Sequence, residues 1–159
     1  GARREASRQM SEIDKLMAIM DAAFDPHWRE AWTRAQVEGS LALPHTYALL
    51  CNARGDTVGA DEEAAGFVLA RSAPGEEELL LVAVHPDHRG KSLGRNLLEQ
   101  FFETARNGGA EQVFLEMRAN NPAEQLYRAV GFEPIGRRPA YYRTLDGKAL
   151  DAITFGRKL

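Results

Sequence analysis

The stretch LLLVAVHPDHRGKSLG, residues 79–94, decides how this chain folds. Its first six residues, Leu79 to Val84, form an uninterrupted apolar run of strand length. Such a run is covered on both faces and belongs near the centre of a sheet. A tight, charged loop follows. Beyond it Leu93, Leu97, Leu98, Phe101, Phe102 and Ala105 recur at helical spacing, up to Gly108-Gly109. A strand, a short loop and a helix starting at about Ser92 predict an anion site. The first amides of a helix lack internal partners, and the macrodipole adds positive potential there. Arg89 and Lys91 add full charges. The plain alternative is a strand-to-helix turn with exposed charges.

His85 to Ser92 differs by one letter from the phosphate loop G-x-x-x-x-G-K-S. The resemblance to an ATP site is superficial. Pro86 removes an amide donor and stiffens the turn. Asp87 would set a negative charge beside phosphate, and no aspartate placed to hold magnesium ends a second apolar strand.

Working outward, Ile13, Leu16, Met17, Met20 and Phe24 predict a helix capped by Ser11 and stopped at Asp25-Pro26. A second helix is expected over about 29–43. Residues 46–51 and 65–71 read as antiparallel strands around a Gly- and Asp-rich turn. The acidic run Glu76-Glu77-Glu78 reads as a solvated turn. Residues 112–117 read as a strand. Asn121-Pro122-Ala123-Glu124 reads as a helix start, with Asn as N-cap, Pro first and Glu third. Residues 132–138 and 149–158 read as a closing strand pair. This order predicts an α/β (α+β) fold with a mixed sheet, and residues 1–159 as one domain.

The composition narrows the function. With 44% apolar and 27% charged residues the chain is an ordinary globular one. A net charge of −3 argues against nucleic acid as partner. No apolar run approaches the roughly 18–20 residues of a membrane span. The single cysteine, Cys51, suits a reducing cytoplasm and reads as a small buried hydrophobe. His27, His45, His85 and His88 show no ligand spacing, so no metal is expected. No nucleophile elbow supports serine hydrolysis.

Arg89-x-x-Ser92-x-Gly94 resembles the pyrophosphate-binding motif R/Q-x-x-G-x-G/A of the GCN5-related N-acetyltransferase (GNAT) family. The segment FLEMRANN, 114–121, followed by AEQLYRAVGF, 123–132, resembles the family's second signature. It is particularly similar to the subgroup that acetylates the N-terminal alanine of a ribosomal protein. The tail Arg137-Arg138, Tyr141-Tyr142, Asp146-Gly147 and Asp151-Ala152 is similar to that subgroup too. Two positions depart from the pattern: Ser92 stands for a glycine, and Arg143 stands where a proline commonly follows the tyrosines. FDPHW, 24–28, loosely resembles the subgroup's F-P-W.

The resemblance implies a mixed, mostly antiparallel sheet with helices on both faces, splayed between the strands ending near Val84 and Glu116. It implies acetyl-coenzyme A as cosubstrate. The coenzyme's expected contacts are the backbone of Val82, Ala83 and Val84, the loop Arg89, Gly90, Lys91, Ser92, Leu93, Gly94 and Arg95, and Asn121 with Tyr127. The serine at 92 keeps its amide and can add a hydroxyl donor, but its Cβ crowds the approach. The expected acceptor is a ribosomal protein N-terminus or another amine, in a cytoplasmic monomer or weak dimer. A small-molecule amine, a lysine side chain and a non-catalytic acyl-coenzyme A module remain alternatives.

Transfer to an amine needs a base for the ammonium proton and a donor for the leaving thiolate. By resemblance these are Glu116 and Tyr127. A phenol near pKa ~10 stays protonated at neutral pH, where a thiol near ~8.5 is its partner. Beside these roles stand plainer ones. Glu116 could be salt-bridged, with Arg118 nearby on its face. Tyr127 continues the apolar face of Ala123, Leu126 and Val130, and Asn121 serves as an N-cap. Trp28, Glu116, Tyr141 and Tyr142 are the candidate acceptor contacts, the two tyrosines in a loop between the last strands, where ordinary hairpin packing is the alternative.

Overall fold

A computed structural model describes residues 11–159. The elements follow the expected order of two helices, three strands, a helix, a strand, a helix and two strands. Helix α1 (Glu12–Ala23) begins at Ser11, whose side chain accepts the Asp14 amide while the Asp14 carboxylate accepts the Ser11 amide. This reciprocal box satisfies donors that a helix start otherwise leaves free. Helix α2 spans Arg34–Leu41, shorter than the 29–43 expected. A 3-10 turn over Pro26–Trp28 and a left-handed Arg29 intervene. The capping pair Thr33 and Gln36 then starts α2.

Six strands form one sheet: β1 (Thr46–Cys51), β2 (Gly66–Ala73), β3 (Glu76–Val84), β4 (Gln112–Arg118), β5 (Glu133–Arg143) and β6 (Ala149–Lys158). Their order is β1-β2-β3-β4-β6-β5. Only β3 and β4 run parallel, joined by the crossover helix α3 (Leu93–Asn107). Leu97, Leu98, Phe101 and Phe102 of α3 pack on one face, with Tyr127 of α4 (Glu124–Ala129). Leu16, Ile19 and Met20 of α1, with Val37 of α2, cover the other. Each such side chain contributes about 1.5–3 kcal/mol by leaving water, so helices on both faces are what hold the sheet. Among the described residues no helix is long and apolar enough to cross a membrane.

Three local expectations are corrected. The acidic run is not a turn: Glu76 to Glu78 open β3, and strand alternation turns Glu77 inward, where it is 4% exposed. There it accepts the Tyr47 hydroxyl at 2.8 Å. Burial pushes the Glu77 carboxyl up, and the Tyr47 hydrogen bond offsets part of that. Tyr141 and Tyr142 lie within β5 rather than in a loop, because β5 runs to Arg143. The Asn121 side chain caps a turn ahead of α4, accepting the Ala123 amide at 2.9 Å. Glu124 reaches forward to Arg128 at 2.8 Å instead of closing a box.

The feature that positions the site is a split in the sheet. β3 and β4 pair only from Glu76 and Gln112 to Leu79 and Leu115. On the other side of β3, Leu69 faces Leu81 and Ala70 faces Leu79, so Leu80 is an extra residue. Such a bulge bends its strand, and β3 leaves β4 at this residue. From there Leu80 to Val84 and Glu116 to Arg118 diverge, as expected from the strand ends at Val84 and Glu116.

The buried Glu77 predicts a pH signature. Its folded carboxyl titrates above its unfolded one, so its contribution is full below the unfolded value and is lost as pH rises through the folded one. In thermal melts, Glu77→Gln should therefore gain Tm relative to the parent between about pH 4 and about pH 7. An equal Tm difference at both pH values would contradict this reading.

Candidate active site

The split opens into a cavity of about 540 Å³. Trp28, Val82, Ala83, Val84, Arg89, Gly94, Glu116, Asn121 and Tyr127 all line it, bringing together residues from distant parts of the sequence. Gly90, Lys91 and Ser92 of the same turn, and Leu93 and Arg95 in the first turn of α3, do not line it, nor do Tyr141 and Tyr142 on β5.

At the β3 end, Val82, Ala83 and Val84 pair with β2 through Val68, Phe67 and Gly66. Their other edge has left the β4 ladder, so their outward backbone groups can pair with an extended ligand. The loop then turns through Gly90, with φ 80°, and Ser92, with φ 60°. Ser92 is the N-cap of α3 but makes no side-chain capping bond. The helix start thus keeps its amides and positive potential available. Arg89 donates to the Ala23 carbonyl at 3.2 Å, tying the loop to the end of α1. Gly94 leaves close room for its neighbour: a Cβ there would lie 3.1 Å from the end of the Leu126 side chain, which would have to shift. This cradle, a free strand edge leading to an uncapped helix start, fits an extended chain ending in phosphate.

Across the gap, alternation along β4 divides the chemistry between the faces. Leu115 and Met117 join the cluster beneath α3 and α4, which includes Tyr127. Glu116 and Arg118 point to the opposite face. Glu116 pairs with Arg138 of β5 at 3.4 Å, not with Arg118. Arg118 is instead bound by Glu30, with Nε donating to Oε1 at 3.0 Å, and its guanidinium lies 3.7 Å from the centre of the Trp28 ring. The Tyr127 ring packs edge-on against Phe132 at 6.0 Å. Burial and the Glu30 carboxylate push the Tyr127 phenol well up, so it stays protonated. Tyr142 is pushed up to about 12, by burial first and then by Glu116.

Tyr141 is 54% exposed and meets Tyr142 edge-on at 5.3 Å. Tyr141 lies within, and Tyr142 ends, an irregular stretch of β5 that begins at Arg138, where Ala140 has φ 53° and Asp151 accepts its amide at 2.9 Å. The turn after β5 is anchored by the Leu145 amide on the His27 carbonyl at 3.0 Å. Among the described residues, the non-glycine residues with left-handed backbone are Arg29, Ser92, Asn120 and Ala140. Each lies within two residues of a candidate site residue. Glu30 had no motif to announce it, while Arg118 and Arg138 stood within the resembling segments without an assigned role. Their partners are remote in sequence, and only Arg118 was suggested, with the wrong partner.

Residues 13–132 match the model of the acetyltransferase (GNAT) family, and the chain belongs to that family. It is an N-acetyltransferase, in a family that uses acetyl-coenzyme A. The N-alpha-acetyltransferase RimI of Mycobacterium tuberculosis is 36% identical over 97% of this chain and 87% of its own length. The [ribosomal protein bS18]-alanine N-acetyltransferase of Escherichia coli K12 is 38% identical over 56% of this chain and 60% of its own. The crystal structure of the ribosomal-protein-S18-alanine N-acetyltransferase from Escherichia coli superposes with a TM-score of 0.75 at 25% identity, covering 94% of this chain and 90% of that one.

The left-handed Ser92 leads to a measurable expectation. Glycine adopts this backbone freely, while serine pays a cost offset by the entropy that glycine loses on folding. Isothermal titration of Ser92→Gly with acetyl-coenzyme A should show an affinity change under about tenfold, ~1.4 kcal/mol.

Proposed function

We propose that this enzyme acetylates the α-amino group of a protein N-terminus, with the N-terminal alanine of a ribosomal protein as acceptor and acetyl-coenzyme A as donor. The observation that carries the proposal is the arrangement of Glu116 and Tyr127 along one cavity at the split between β3 and β4. The relatives named for an N-terminal alanine of a ribosomal protein support the choice of acceptor. The reaction would take place in one domain, in the cytoplasm.

The coenzyme supplies an acetyl group as a thioester. Val82 to Val84 would hold its extended arm by backbone pairing. The turn from Arg89 to Arg95 would hold its pyrophosphate at the start of α3, with Asn121 on the facing side. Trp28 walls the acceptor end, and Tyr141 and Tyr142 stand beside it on β5. Glu116 would take the proton of the incoming ammonium, directly or through a water, freeing the lone pair that attacks. Arg138 pairs with that carboxylate from β5, across the intervening β6.

Tyr127 would donate to the departing sulfur. Its phenol is a weaker acid than a thiol, and each pKa unit of difference costs about 1.4 kcal/mol for complete transfer. It therefore acts chiefly through a hydrogen bond that strengthens as negative charge develops on sulfur. The amine attacks directly, with no covalent intermediate on the enzyme.

Glu116→Gln and Tyr127→Phe should each lower turnover by on the order of 10²-fold or more, while the affinity for acetyl-coenzyme A stays nearly intact. Unchanged turnover in both variants would sink these roles. The acceptor is tested by mass spectrometry of a peptide panel incubated with acetyl-coenzyme A. Acetyl groups should appear on the α-amine of peptides that begin with alanine, including ribosomal N-termini. Acetylation confined to lysine side chains or polyamines would reject the α-amine assignment.

A further inference from the structure

We propose that Glu30 is a positioning residue for acetyl transfer, clamping the Trp28 wall and the turn that leads into α4 against the end of β4. The proposal rests on the role given above to Tyr127. Glu30 lies in the segment between α1 and α2 and uses both carboxylate oxygens. Oε1 accepts Arg118 Nε at 3.0 Å, and Oε2 accepts Asn121 Nδ2 at 3.4 Å. The run of hydrogen bonds continues. Asn121 Oδ1 accepts the Ala123 amide at 2.9 Å, and the Ala123 carbonyl accepts the Tyr127 amide at 3.0 Å. A continuous path thus joins Glu30 to the residue bearing the phenol.

Arg118 makes the clamp two-sided. Its side chain is 6% exposed, and among the described residues Glu30 is the carboxylate that pairs with it. An arginine this buried is costly without an anion. Its Nη1 donates to the Asn120 carbonyl at 3.0 Å, fixing the turn before Asn121. Its guanidinium face covers the Trp28 ring, a contact strengthened by desolvation. The planar fork lets one arginine hold a carboxylate, a carbonyl and an indole at once. Glu30 and Arg118 both line the cavity. The pair therefore braces the walls of the site. The charge of Glu30 also contributes to keeping Tyr127 and Tyr142 protonated.

A double-mutant cycle on the full chain tests the proposal, using saturating acetyl-coenzyme A and a peptide acceptor. Glu30→Gln should lower kcat at least about tenfold, since small misplacements of reacting groups are that costly, while KM for acetyl-coenzyme A stays within about twofold. In a Tyr127→Phe background the same change should cost less than about threefold. Full kcat in Glu30→Gln, or equal losses in both backgrounds, would overturn the proposal. Trp28 fluorescence in a Trp32→Phe background reads the clamp without reference to Tyr127. Glu30→Gln should shift that emission, and an unshifted emission rejects the clamp. If Tyr127→Phe alone keeps full turnover, the role of Tyr127 falls, and the emission still decides for or against Glu30.

Discussion

The site depends on one interruption: the parallel pairing of β3 and β4 ends after Leu79 and Leu115. Backbone amides and carbonyls demand partners, so a ladder that stops in the middle of a sheet needs a cause and a use. The cause is the extra residue Leu80, which loses register against β2 and tilts β3. The use is the exposed inner edge of Val82 to Val84, which faces the cavity. The helices on either side of the gap follow from it. α3 leaves from the top of β3, and α4 follows the top of β4. Both bring chemistry to the same opening.

A split sheet has an inside that an intact one lacks. On an intact sheet, Glu116 and Tyr127 would be separated by the strand layer, since β4 turns Glu116 away from the cluster that holds Tyr127. At the gap, groups from both faces reach one cavity. A base and a proton donor can then flank a single reacting centre from opposite sides.

Much of this was legible in the sequence. The bounds of β1 and β6 match the short strand-length runs read at 46–51 and 149–158, and the strand–loop–helix at 79–94 lies along the cavity. What was missed depends on tertiary context. Glu77 looks like part of a solvated acidic run until the partner strand brings Tyr47 over it. The helix at 34–41 was overextended because Trp32 and Arg29 fit a helical pattern that the left-handed turn overrides. Tyr141 and Tyr142 looked like loop residues because Pro139 and Ala140 break the alternation. In the fold they are a bulge that Asp151 holds in place. The pairing of Arg118 with Glu30 spans 88 residues, beyond any local pattern.

The non-glycine residues held in left-handed backbone among the described ones, Arg29, Ser92, Asn120 and Ala140, each lie within two residues of a candidate site residue. Each such conformation stores on the order of 1 kcal/mol or more. The enzyme thus keeps a reserve of unspent thermostability at the joints of its own active site. A breeder of heat-resistant variants would reach these positions early, wherever the relief of strain outweighs the entropy that a glycine loses on folding. The same steps would loosen the frame that aims the catalytic groups, so resistance to heat and speed of turnover would part company here.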